Sequence, residues 1–331
     1  MYSCNAALER INAVLYLRKH TAGYNAFFYQ LLRFVNKQLR KYGFRIIRVF
    51  SDTLNIRKIN KLIIPFLFFY LSAFFLKYIV WKIAPGVFQL PVSWTELLVV
   101  FHDHALIKFN PPIWFLLALF NCNILFYLVH SLRNRRLGLM FALTLLIGTA
   151  GFYMGKHQIE LPLYMDVAMS ALPFYVAGFW IRRYNFFLFP HRFDKLIPLC
   201  ILAALAVMYF TATFVGMRTN NYAGNIFQFW ASAFAGIFMI MLFCKKFKKL
   251  PVISYMGRYS VITLGIHAPL LHFEYPVVSR FIHNEWGQAI ALLLLTLTVC
   301  IIATPIFLKL IPQAVAQKDF IKTKQSTQQG S

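Results

Sequence analysis

In a chain of 331 residues with only 10 acidic side chains and 9 histidines, polar residues inside apolar stretches can be followed one by one. Four of them, Ser260, Thr263, His267 and Glu274, succeed one another at intervals of three, four and seven residues, in and just beyond Val252–Phe273. Such intervals stack all four on one face of a helix. Around the stripe the positions are mostly apolar: Val261, Ile262, Leu264, Ile266, Leu270 and Leu271. If Arg258 marks the inner interface, His267 lies about 14 Å further along the axis, near the middle of a hydrocarbon core about 30 Å thick. An ionisable residue at that depth is costly, and by default it faces a bundle interior or water-filled cavity with a role to play. Histidine is also the side chain best matched to acid–base work near neutral pH. The plainer alternative is a histidine bonded to a neighbouring helix for packing alone. Glu274 lies about 10 Å further along the same helix, too far for direct contact with His267.

The elements that must hold this stripe are membrane helices. Hydrophobic residues make up 60% of the chain and charged residues 13%, where a soluble domain carries about 25% charged. A soluble fold is excluded, and the sequence reads as an all-α polytopic membrane bundle of about eight transmembrane helices. Spans are expected near 62–84, 113–129, 137–154, 164–181, 196–215, 226–243, 252–273 and 287–310. Pro85-Gly86 stops the first, and Pro111-Pro112 opens the second because proline is tolerated in a first helical turn. Residues 89–110 between them read as an exposed outer loop with a short helix over Trp94–Phe101.

A net charge of +24 can indicate nucleic-acid binding. Here the cations fall on alternate connections: Arg133 to Arg136, Arg182 and Arg183 with Arg192 and Lys195, Lys245 to Lys249, then Lys318, Lys322 and Lys324. The positive-inside rule places those connections and both termini in the cytoplasm, and no nucleic-acid partner is expected. Residues 1–61 form a basic N-terminal segment. Within it Phe28, Leu32, Val35, Leu39, Tyr42, Ile46 and Val49 oppose Arg33, Lys37, Lys41 and Arg48, an arrangement suited to a helix lying on anionic lipid. Residues 62–311 are the membrane domain and 312–331 a cytoplasmic tail.

Cys4, Cys122, Cys200, Cys244 and Cys300 have neither CxxC nor Cys/His ligand spacing, so they read as small apolar residues. His102, Asp103 and His104 read as a solvated loop, and no metal site is expected. Asn121 and Asn123 lie inside a span, where a polar side chain usually bonds a neighbouring helix. Trp114 suits an interfacial belt.

Five stretches together resemble the acyltransferase-3 family of bacterial integral-membrane O-acyltransferases. They are RKINKLIIPF (Arg57–Phe66), PIWFLLALF (Pro112–Phe120), LPFYVAG (Leu172–Gly178), ISYMGRYS (Ile253–Ser260) and LGIHAPL (Leu264–Leu270). The resemblance implies transfer of an acyl group, often acetyl, from acyl-CoA to a hydroxyl of a surface glycan or its lipid-linked precursor. It implies the bacterial inner membrane, acyl-CoA as a co-substrate with no tightly bound cofactor, and glycan and membrane lipids as partners. It also implies about ten helices, the first with an Arg and a catalytic His about ten residues on. Arg10 and His20 have that interval, but their segment is too short and too basic to span, and the role is not carried onto them. The expectation is therefore a chain lacking the first helix pair that transfers acyl groups poorly or not at all.

Acyl transfer to a sugar hydroxyl needs a base for the hydroxyl proton, donors for the developing oxyanion and cations for the CoA phosphates. His267 is the candidate base or donor. Trp114, Asn121 and Gln228 are candidate pocket wall, with Ser260 and Glu274 as further substrate-binding candidates. Arg258, with Arg182 and Arg183, can face the phosphates, although ordinary positive-inside anchoring is the better account of arginines there. Two other classes stay open: a transporter or flippase-like carrier, since intramembrane His and Asn suit a translocation path, and a non-catalytic scaffold of the same fold.

Overall fold

A computed structural model describes residues 54–83, 93–101, 110–131, 137–184, 195–247 and 250–321. The basic segment around Phe28–Val49, His102 to His104, and the cations at 133–136, 192, 322 and 324 lie outside the described residues.

From Ile56 onward the described chain is a helical membrane bundle. Seven of its helices are long and apolar enough to cross a membrane. They are α1 (Ile56–Ile83), α2 (Trp114–His130), α3 (Leu137–Lys156), α4 (Met165–Arg183), α6 (Ile226–Lys246), α8 (Ser260–Phe281) and α9 (Glu285–Leu310). Two shorter helices stand between them, α5 (Ile197–Thr211) and α7 (Pro251–Arg258).

Two expected spans differ. The stretch 196–215 forms the 15-residue α5, about 22 Å long. At Ala212 the backbone turns extended (ψ 127°), and Val215 pairs with Tyr222 and Gly216 with Asn221 in a two-stranded antiparallel hairpin, β1 (Val215–Gly216) and β2 (Asn221–Tyr222). The β-branched residues Thr211, Thr213 and Val215 favour such extension over helix. The stretch 252–273 is broken in two. Tyr259 leaves the helical region (φ −110°, ψ 26°) after Gly257 and Arg258, and the long helix begins only at Ser260. Glycine weakens the last turn of α7, and Arg258 there complements the helix dipole. The span is thereby displaced toward Phe281. His267 is seven residues, about 10 Å, from its start, three to four residues short of the midpoint of Ser260–Phe281.

Within the connection between α1 and α2, the expected short helix over Trp94–Phe101 is present, with Trp94, Thr95 and Leu98 exposed. Trp94–Phe101 is a 3-10 helix that runs back along α1. Its Trp94 ring lies 5.6 Å from Tyr78 and 5.2 Å from Phe74, and Tyr70 donates its hydroxyl to the Leu97 carbonyl at 3.3 Å. Leu97 is half-buried against α1. Asn110 then opens a turn, Pro111–Ile113, that leads into α2.

The helices meet through small residues and single polar side chains, as expected where lipid offers no hydrophobic drive between helices. Along α3, Gly148 leaves room for the Pro173 ring, Gly151 for the backbone of Ser170, and Gly155 for Asn220 of the hairpin. Between α2 and α4, Asn123 accepts from the Tyr175 hydroxyl at 2.7 Å. Asn60, buried in a π-helical turn of α1, donates to the Ile321 carbonyl and accepts from the Ile321 N–H, both at 2.9 Å. The tail after α9 is tied in this way to the start of α1.

Candidate functional site

Four of the five motif stretches converge. Leu62 and Phe66 of α1, Ile113 and Leu117 at the head of α2, and Ile262 of α8 belong to one buried apolar core, with Trp114, Tyr259, Leu264 and Ile266 packed on it. The stretch around Leu172 and Val176 lies in a second core with Cys122 and Phe126.

The first two turns of α8 are built around a missing donor. In a helix each carbonyl accepts the N–H four residues on. For Gly265 that residue is Pro269, which has no N–H. The side-chain amide of Asn110 takes its place, donating Nδ2–H to the Gly265 carbonyl at 2.5 Å. The other face of Gly265 lies against the Phe69 ring, so closely that a β-carbon would overlap it. His267 stands within this turn, opened only in the sense that one backbone hydrogen bond is missing; it is half-buried, with Nδ1 2.8 Å from the Thr263 carbonyl. A carbonyl oxygen can only accept, so Nδ1 carries the proton and the neutral ring keeps its lone pair on Nε2. That is the form a general base needs.

Beside the same turn lies an apolar cavity of about 300 Å³, bounded by Phe69 and Leu76 of α1, Pro269 and Leu270 of α8, and Ala303 and Phe307 of α9. The single hydroxyl on its wall, Ser72, is turned to the Phe69 carbonyl at 3.2 Å. The cavity accordingly suits hydrocarbon rather than a polar group.

The other candidate residues are distributed around this centre. Trp114 is half-buried, its ring 5.7 Å from that of Tyr164. Asn121 is buried and donates to the Leu163 carbonyl at 2.6 Å, bracing the left-handed pair Leu163 and Tyr164 (φ 59° and 62°) at the head of α4. Gln228 closes a capping box with Asn225 at the start of α6, and both its amide oxygen and its backbone N–H are engaged there. Arg258 and Ser260 are exposed on either side of the break at Tyr259. Glu274 is buried and accepts from Thr296 of α9, one turn from Cys300. Arg182 and Arg183 are exposed at the end of α4, Arg183 over the Trp180 ring at 5.7 Å. Of the predicted residues, then, Trp114 sits on the shared core and His267 on the helix whose Leu264 and Ile266 pack against it, while Gln228, Arg182 and Arg183 belong to other elements.

The sequence model of the acyltransferase-3 family, described as an acyltransferase domain, matches residues 27–305. The chain belongs to the acyltransferase-3 family. The match includes all five motif stretches and begins upstream of Arg57, crossing the expected boundary at residue 61. No curated protein and no solved structure matches the chain. Within this acyltransferase-3 protein, sequence reasoning missed Asn110, Thr296 and the buried group Ser170, Asn220 and Tyr222. For Asn110 a signal was present: a proline inside an apolar span leaves a carbonyl to be satisfied four residues back.

Proposed function

We propose that this multi-pass membrane protein transfers an acyl group, acetyl first among the candidates, from acyl-CoA to a hydroxyl of a cell-surface glycan or its lipid-linked precursor, at the bacterial inner membrane. Membership of an acyltransferase family supports the reaction class. The observation that carries the reading to residues is the turn of α8 around His267: Leu264 and Ile266 on either side pack on the core where four family stretches meet, and the neutral His267 ring, with Nδ1–H on the Thr263 carbonyl, keeps its lone pair on Nε2. In this reading His267 takes the acceptor hydroxyl proton as the oxygen attacks the thioester carbonyl, and the CoA thiol leaves with a proton. Trp114 lies on the same core. The apolar cavity beside Pro269 supports an acyl chain entering next to the reacting carbonyl. Arg258, exposed at the end of α7, is the cation proposed for the CoA phosphates.

The test is transfer of labelled acetyl from acetyl-CoA to surface polysaccharide in membranes containing the protein. The resemblance alone implies poor transfer or none; with His267 available as the base, transfer is expected instead, and His267→Ala is expected to lower it by about 10²- to 10⁴-fold, the usual cost of losing a positioned base. Transfer indifferent to His267→Ala would return that histidine to packing. Membranes with and without the protein incorporating equal label would end the acyltransferase reading.

A further inference from the structure

Asn110 is completely buried, and packing does not account for it. Its Oδ1 is buried without a hydrogen-bond partner. A buried acceptor left unmade is destabilising, so a leucine of similar size would serve a purely space-filling role better. What the amide provides is one donor, delivered across 155 positions of sequence to the carbonyl that Pro269 leaves without its N–H. Proline in a helix interior also crowds the carbonyl four residues back and opens the turn. Gly265 and Pro269 are the two ends of that opened turn, and His267 is its middle residue. One end is held by Asn110 on one side and the Phe69 ring on the other.

We infer that Asn110 is a positioning residue for His267: it replaces the N–H that Pro269 lacks, fixes the opened turn of α8, and so holds the imidazole with Nδ1–H on the Thr263 carbonyl and Nε2 free. Asn110 touches neither reactant and acts only through the turn. The inference rests on the acyltransferase reading for its rate measurement, not for its spectroscopic one.

The proline gives the experiment its control. Pro269→Ala returns a backbone N–H to Gly265 and makes the Asn110 amide redundant. Four full-length proteins are compared in nanodiscs: wild type, Asn110→Ala, Pro269→Ala and the double variant. Pro269→Ala also lets the turn close, so the cost of Asn110→Ala is read within each background. With Pro269 present, Asn110→Ala is expected to lower kcat between about tenfold and a hundredfold, with KM for the acyl donor nearly unchanged, as for a displaced catalytic group. In the Pro269→Ala background it is expected to cost less than about threefold, as for a residue with no remaining coupled partner. The ¹⁵N spectrum of labelled histidine, with the His267 signals identified by His267→Gln, is the second readout. Neutral His267 is expected as the Nδ1–H tautomer in wild type, as a mixture in Asn110→Ala, and as a single tautomer again in the double variant. Equal losses from Asn110→Ala in both backgrounds, or an unchanged tautomer in Asn110→Ala, would overturn the inference. If Asn110→Ala fails to fold, the double variant decides: its recovery supports the inference and its failure sinks it. A wild type without transfer activity ends the acyltransferase reading while the tautomer comparison still decides the role of Asn110.

Discussion

At the scale of single residues, the bundle places its polar side chains where a backbone group needs them, and Asn220 does so most fully. It is held in the left-handed region (φ 48°) between β1 and β2, completely buried. Its Nδ2 donates to the Gly151 carbonyl at 3.1 Å, and its Oδ1 accepts from Ser170 at 3.1 Å and from the Tyr222 hydroxyl at 2.7 Å. Burial pushes the Tyr222 hydroxyl up to about 12; the Ser170 hydrogen bond opposes this, and the Asp166 carboxylate adds to it. The neutral phenol is therefore the folded form. Because the folded value lies above the unfolded one, near 10, this contribution is complete below about pH 10 and is lost as pH rises toward about 12. A rise of that size corresponds to roughly 2–3 kcal/mol. Thermal unfolding in detergent should show a loss of stability between about pH 10 and 12 that Tyr222→Phe reduces. Identical alkaline profiles for the two proteins would remove Tyr222 from the account. Asn220→Ala removes three hydrogen bonds and should cost more than Tyr222→Phe at neutral pH, by about 1–3 kcal/mol for the two further bonds lost.

At the scale of elements, α3 and α4 pack through a seam that depends on missing side chains. Pro173 would kink α4 in isolation, yet its ring fits where Gly148 has no β-carbon. A β-carbon on Gly151 would strike the backbone of Ser170, and one on Gly155 the backbone of Asn220. Backbone cannot rotate aside as a side chain can, so the helices themselves must separate. Gly151→Leu is expected to destabilise the bundle by about 2 kcal/mol or more through overpacking. Gly138→Leu, on the same helix in open space, should be close to neutral. Equal midpoints for the two variants in a thermal-shift measurement would show that the seam carries no such constraint. Both variants leave the turn around His267 untouched, so a loss of transfer in Gly151→Leu should track the folded fraction.

For the whole molecule, the issue is which end of each helix shares a side. The Asn60–Ile321 bonds hold the tail against the start of α1, and an even number of crossings returns the chain to the side from which it set out. Seven long helices alone would leave those two points on opposite faces; counting the 15-residue α5 as a crossing resolves this. The basic residues ending α4 and α6, Arg182, Arg183, Lys245 and Lys246, fall on that same expected face. Single cysteines placed at Asn134 and Phe247 in a cysteine-free background should label only after the membrane is permeabilised, and one at Glu160 should label from outside. Labelling of Phe247→Cys in intact cells would reverse the orientation.

Properties that act along the chain were legible from residue order. Apolar runs of span length, cations on alternate connections, and the prolines opening α2 specify an all-α membrane bundle, because bilayer thickness and charge placement act on each segment separately. The stripe through Ser260, Thr263 and His267, and its histidine, could likewise be found by spacing. Where α8 begins was not legible: the break at Tyr259 is one residue's backbone, set among residues that all tolerate helix. Nor was the partner of Gly265. Pro269 declares that a carbonyl lacks its donor, but only packing decides that Asn110, at the head of another helix, supplies it. The same holds for Glu274 with Thr296 and for Asn60 with Ile321. Inside a membrane an unmet polar group has no water to turn to. Its partner is whichever side chain the tertiary fold brings within about 3 Å, and distance along the sequence carries no record of that meeting.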